Sequence, residues 1–157
     1  MSNLTHYSSD GWKIVWTLPD GVTVDFAEGL SKGSFVAEAR ATPTYTHKPL
    51  LNGDGVRSYS ADTSGTVTFL VDQSSKLHQR LLEIYYTDRE SRNQAGTITC
   101  TLLGPSGNVR QKFYRAAYIM SSPDESDGDV SADVSWVFGV TAIEKTYPQN
   151  NNAIVGV

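Results

Sequence analysis

One stretch limits the possible folds more than any other. From Gly96 to Leu103 the chain alternates without a fault: Thr97, Thr99 and Thr101 point one way, Ile98, Cys100 and Leu102 the other. A period of two is that of a strand with one covered and one solvated face. It recurs from Gly65 to Val71, where Val67, Phe69 and Val71 oppose Thr66, Thr68 and Asp72. It recurs again from Val130 to Thr146, read as the longest strand, with Val134, Trp136, Phe138 and Val140 opposite Ser131, Asp133, Ser135 and Thr141. A helical period occurs in one place, Ser75 to about Thr87. There Leu77, Leu81, Ile84 and Tyr85 form one core-facing stripe, and Ser74 or Ser75 supplies the N-cap oxygen.

The remaining segments fit the same scheme. Lys13–Leu18 and Val22–Phe26 flank the turn Pro19-Asp20-Gly21 and read as a hairpin. A second turn, Gly29–Gly33, precedes Ser34–Ala41, in which Phe35, Ala37 and Ala39 face away from Ser34, Glu38 and Arg40. Thr42–Gly55, with Pro43, Pro49, Asn52-Gly53 and Asp54-Gly55, breaks the pattern, and Arg57–Ala61 is a returning strand. This is either a long protruding hairpin or an irregular loop, and segments of that length in compact domains are often functional. Gly104–Asn108 is a hairpin loop to an aromatic strand, Arg110–Met120, and an acidic loop, Ser121–Gly128, follows. The predicted fold is mostly β: an antiparallel β-sandwich or barrel of seven or eight strands with one flanking α-helix. Residues 1–157 are expected to be one domain, with a protruding loop at about 42–59 and an extended tail at about 147–157.

Composition narrows the function. A chain of 157 residues with 39% apolar side chains, three Trp, eight Tyr and five Phe builds a core and is not disordered. The net charge of −4 excludes a polycation that grips nucleic acid through phosphates. One cysteine, Cys100, excludes a disulfide scaffold. Met1–Asp10 has no signal-peptide pattern and no apolar run is long enough to span a bilayer, so the expectation is a chain made in a reducing cytoplasm with no membrane anchor. Asn3-Leu4-Thr5 is then a chance glycosylation match.

No catalytic or metal constellation is legible, and neither a cofactor nor a metal is expected. His6, His47 and His78 have no zinc spacing with one another or with Cys100. His78 reads as structural or solvated, and Cys100 as a small buried hydrophobe. There is no nucleophile elbow, P-loop or dinucleotide fingerprint. The run Asp124-Glu125-Ser126-Asp127-Gly128-Asp129 fails the EF-hand register, because its twelfth position is Ser135. What stands out is the Thr-rich, low-charge strand faces: charged residues are 19% of the chain, whereas Ser and Thr number 17 and 15. Such faces follow either from the strand propensity of Thr or from contact with protein or a smooth polar channel.

The order of these segments resembles the tail tube (inner tube) proteins of contractile-tailed bacteriophages. The resemblance lies in Gly33-Ser34-Phe35, then Gly53-Asp54-Gly55-Val56-Arg57-Ser58-Tyr59 leading through Asp62-Thr63-Ser64-Gly65 into Thr66–Leu70. It continues with the Ser-capped helix carrying Leu81-Leu82, the Thr97–Leu102 strand and Trp136-Val137-Phe138, and spans roughly residues 11 to 147. It implies a tail-tube-like β-sandwich and a structural, non-enzymatic virion protein synthesised in the host cytoplasm. It also implies hexameric rings stacked into a hollow tube inside a contractile sheath. The implied partners are further copies of the chain, the sheath, baseplate and tail-terminator proteins, and tape-measure protein and DNA in the lumen without sequence-specific binding. Tubes of contractile bacteriocins and type VI systems share the fold and are the alternative. Under this resemblance Tyr45, Pro49, Leu50, Leu51, Asp54, Arg57 and Tyr59 are the expected inter-ring or inter-subunit contacts. Thr66, Thr68, Ser131, Asp133 and Ser135 are the expected lumen-facing residues. The apolar Trp12, Trp16 and Ile154-Val155 near the ends suggest that the termini cross between subunits. The rival from another class is a monomeric β-sandwich binding module presenting Tyr114 and Tyr118 on one strand face.

Overall fold

The structure, a computed structural model, describes residues 12–26, 29–30, 36–103 and 109–146. Within these, ten strands and one helix follow in chain order. They are β1 (Trp12–Thr17), β2 (Thr23–Asp25), β3 (Val36–Arg40), β4 (Tyr45–Pro49), β5 (Gly55–Tyr59) and β6 (Gly65–Asp72), then helix α1 (Lys76–Ser91), then β7 (Gly96–Leu103), β8 (Val109–Ser121), β9 (Asp133–Val140) and β10 (Ala142–Thr146). Every pairing among them is antiparallel, in the order β2-β1-β7-β8-β9-β6-β3, with β10 also on β8 and β4-β5 forming a separate two-stranded sheet.

The alternation puts one face of each strand into a shared core. Ile14 and Trp16 of β1, Ile98 and Cys100 of β7, Val67, Phe69 and Val71 of β6, and Val134, Trp136, Phe138 and Val140 of β9 are all buried. The sheet folds over on itself, so that Trp16 meets Phe138 edge-on at 5.2 Å and Phe26 meets Phe69 at 4.9 Å. Helix α1 adds Leu77, Leu81 and Ile84 to this core, with Tyr85 half-buried beside them. Ser75 caps it: its side chain accepts from the His78 amide at 3.2 Å.

The helix runs to Ser91, four residues past the expected end at Thr87. Its last turn is polar, with the Thr87 and Ser91 hydroxyls bonding back to the Glu83 and Thr87 carbonyls. An apolar stripe does not register such a turn. Arg92, left-handed at φ 57°, ends the helix.

The strand expected over 130–146 is shorter and divided. Residues 130–132 belong to the preceding loop, and Thr141 separates β9 from β10. The cause lies opposite, in β8, the longest strand, where Ala116 adopts φ 51° and the chain bulges. Before this point β8 pairs with β7 and β10; beyond Ala117 it pairs with β9. The bulge also shifts facing by one residue, so Tyr114, Ala117 and Ile119 point inward while Tyr118 and Met120 point out. Tyr114 and Tyr118 therefore do not share a face. The buried Tyr114 removes the aromatic pair on which the monomeric binding-module reading rested.

In β3 the alternation holds, but the alanines are outside. Ala37 and Ala39 are exposed, and Glu38 turns inward to accept from the Tyr114 hydroxyl at 2.9 Å and to pair with Lys145. Burial raises the Glu38 pKa, but the bonds from Lys145 and Tyr114 and the charge of Lys112 outweigh it, so the net value lies below the ordinary 4.5. The stability this gives is therefore complete above the ordinary carboxylate range and fades as pH falls through and below it. In thermal melts across pH, Glu38→Gln is expected to lower Tm at pH 7 and to flatten its acid-side decline; an unchanged acid limb contradicts this.

The Ser31–Gly33 part of the second expected turn, the strand start at Ser34-Phe35, the loop 104–108, His6 and the tail 147–157 with Ile154-Val155 lie outside the described residues.

Candidate functional site

The segment that breaks the strand pattern is a hairpin. Strands β4 and β5 pair from Tyr45↔Tyr59 to Pro49↔Gly55. The turn closes by Leu50 N–H donating to Asp54 O at 2.7 Å, with Gly53 at φ 88°. Asn52 and Asp54 bond each other at the tip, so Asp54 is a turn-forming residue. All ten strand residues are exposed. The Tyr45 and Tyr59 rings lie 5.6 Å apart, and the Arg57 guanidinium lies 4.6 Å above Tyr45. Leu50, Leu51 and Val56 are also exposed, and Tyr59 retains 68% of its accessible surface. Tyr45, Pro49, Leu50, Leu51, Asp54, Arg57 and Tyr59 are thus brought together on one arm. A lone two-stranded hairpin is marginal in water, and grouped exposed apolar side chains mark a contact surface.

The second group of predicted residues lies on the outer face of the β3-β6-β9 strands. Thr66 and Thr68 are half-buried on β6, and Ser135 is exposed on β9 opposite Leu70. Register places Ala37, Ala39, Val137 and Gly139 on the same face. These side chains are small and uncharged; Leu70 shares the face, and the Tyr118 ring lies over Gly139. Asp133 stands at its end opposite Asp72. Ser131 is not on the face: it lies in the loop before β9, where its hydroxyl donates to Asp72 at 2.5 Å. That bond, followed by those from Ser74, holds the Asp72 pKa below its ordinary value.

Periodicity gave no signal for a third feature, a buried polar junction. His78 sits in the core against Trp136, whose indole N–H donates to Nδ1 at 3.1 Å. The indole can only donate, so Nδ1 accepts and Nε2 carries the proton toward Glu125, 2.7 Å away. Helix, strand and acidic loop are thereby joined at one imidazole. His78→Phe leaves a buried indole donor unpaired and is expected to cost about 1–3 kcal/mol in denaturant unfolding. A change below about 0.5 kcal/mol contradicts the junction's role.

Cys100 is fully buried, and burial pushes its thiol pKa up to about 12, so it is an inert core group. Among the described residues no three His, Cys, Asp or Glu side chains converge as metal ligands, and no helix is long and apolar enough to cross a membrane. A groove of about 620 Å³ at the C-terminal end of α1 is lined by Tyr85, Arg89, Arg92, Tyr118 and Met120 among others and contains no Ser, Cys or His.

The fold recurs in solved structures. A chain from the extended-state sheath/tube terminator of the extracellular contractile injection system PVC superposes with TM-score 0.61 at 9% identity, covering 92% of this chain and 99% of that one. A chain from the six-fold-symmetrised baseplate of the anti-feeding prophage gives 0.59 at 11% identity, over 95% and 99%. A chain from the PVC sheath–tube complex gives 0.55 at 10% identity, over 86% and 88%. At these identities the likeness is one of fold. No curated protein matches the sequence. The family model described as bacteriophage PhiTE tail tube protein matches residues 20–147, most of the chain and nearly all of the described sheet. The chain therefore belongs to the bacteriophage PhiTE tail tube protein family and has a structural role in a tail tube, as a component of the virion.

Proposed function

We propose that residues 1–157 form one tube domain that assembles into hexameric rings, stacked through the β4–β5 arm into a hollow tube. The observation that carries this is the arm itself: an exposed hairpin whose Tyr45, Leu50, Leu51, Val56 and Tyr59 have no apolar cover among the described residues. Strands β2 and β3 end the main path of the sheet and β10 is a further edge on β8, and closing a ring through neighbouring edges removes surfaces that otherwise pair without control. In this arrangement Thr66, Thr68 and Ser135 face the bore with Ala37 and Ala39, while Ser131 and Asp133 sit at its rim. A bore without Lys or Arg on this face, built from a chain of net charge −4, lets DNA slide without adhering. A contractile sheath, a baseplate and a tail terminator complete the assembly around the tube, with tape-measure protein and then DNA inside. The role is mechanical and uses no catalysis or cofactor.

Sedimentation of the purified chain tests the ring. The expected product is a species of six times the 17.2 kDa chain mass that grows into larger assemblies with concentration. A 17.2 kDa species alone at every concentration contradicts it.

A further inference from the structure

The arm and the acidic loop sit at opposite ends of one strand. The chain returns from the arm into β6 at Gly65, and β6 ends at Asp72, opposite Asp133 and the loop before β9. Eight residues of strand put roughly 25 Å between them.

The two ends are opposite in charge. The arm carries Lys48 and Arg57 with one carboxylate, Asp54, while Arg40 and Asp62, the latter accepting from the Thr42 hydroxyl, stand at its base. Among the described residues none of these cations meets a carboxylate: Arg57 lies over Tyr45, and Arg40 donates to the Thr44 hydroxyl at 3.3 Å. At the far end Asp124, Glu125, Asp127, Asp129 and Asp133 fall within ten residues, and no Lys or Arg occurs between Arg115 and Lys145. Glu125 is engaged by His78, and Asp127 accepts from Gln73 at 3.3 Å. Beside them Val130 keeps 83% of its surface exposed.

The loop is also fixed in place. Gln73 bonds the Ser126 amide and Asp127, the Gln73 amide bonds Ala132 O at 2.9 Å, Ser131 bonds Asp72, and Glu125 bonds His78. Such a preformed acidic surface costs little ordering entropy on docking.

We infer that the acidic loop, Asp124–Val130, is the seat for the β4–β5 arm of a second copy of this chain. This rests on the tube reading and names the surface that receives the arm. Lys48 and Arg57 of one copy face Asp124, Asp127 and Asp129 of the next, while Leu50, Leu51 and Val56 cover Val130. The separation along β6 keeps a copy from satisfying itself. Each copy therefore presents one patch of each kind, and the contact repeats head to tail.

Charge reversal tests the pairing. K48E/R57E and D127K/D129K are each expected to raise the concentration needed for assembly about a hundredfold, because each sets like charges face to face. The four-substitution variant combining them is expected to return to within about tenfold of wild type. Raising salt from 0.1 to 1 M is expected to weaken wild type and relieve each reversal. The neutral variant Leu51→Ser/Val56→Ser/Tyr59→Ser distinguishes the arm's role in assembly from the identity of its seat. If it loses assembly while the charge reversals do not, the arm seats elsewhere and the inference falls while the tube reading stands. If it assembles as wild type, the arm's role falls as well. A combined variant no better than either single-sided reversal also overturns the inference.

Discussion

Leu51→Ser/Val56→Ser/Tyr59→Ser is expected to abolish higher assembly and to leave the domain folded. All three side chains are exposed on the arm and lie outside the core, so their replacement costs the folded chain less than about 0.5 kcal/mol each. On the proposed stacking they are covered in the tube. Burying a Val, Leu or aromatic side chain is worth about 1.5–3 kcal/mol, so losing three weakens each arm contact by about 5 kcal/mol or more. That corresponds to about 10³ to 10⁴ in affinity per contact, before repetition around a ring multiplies it. Light scattering with size-exclusion chromatography reads the assembly, and circular dichroism melts read the fold. Tubes at wild-type concentration from this variant contradict the role given to the arm; a melting temperature lowered by many degrees contradicts its independence from the core.

Trp136→Ala has the opposite profile. The residue is fully buried on β9, pairs with Phe69 across β6, packs edge-on against His78 at 5.5 Å and donates its indole N–H to the same imidazole. Truncation opens a cavity the size of an indole and unties the helix from the sheet. The expected cost is about 3–5 kcal/mol, a large share of the 5–15 kcal/mol of a typical domain. The acidic loop loosens too, since Glu125 is held through the same imidazole. Denaturant unfolding should show a much lower midpoint; a loss below about 1 kcal/mol means that the core is organised elsewhere.

Much of the fold was legible because a period of two or 3.6 is a direct image of a covered face. Strands β6, β7 and β9 and the helix stripe through Leu77, Leu81 and Ile84 follow from it. What escaped depended on partners distant in sequence. Alternation in β3 shows that Glu38 and Ala39 face opposite ways, but not that Glu38 is inside, because Tyr114 and Lys145 lie more than seventy residues on. Ala116 gives no sign of a positive φ, since that conformation normally favours Gly or Asn. The bulge it creates reversed the facing of Tyr118. His78 resembles any helix-surface histidine until Trp136 and Glu125 are folded around it. The arm was legible as a break rather than as a structure: prolines and Asn-Gly mark a turn, and only the pairing of Tyr45 with Tyr59 shows a hairpin standing clear of the core.

In the proposed function this chain builds a tube whose copies are joined through the β4–β5 arm. Cryo-electron microscopy of the purified full-length chain, concentrated until it assembles, tests it most directly. The expected images show hollow tubes of stacked rings, with each arm crossing to an adjacent ring and Thr66, Thr68 and Ser135 lining the bore. Particles that stay monomeric at every concentration, or tubes in which each arm lies against its own domain, contradict it.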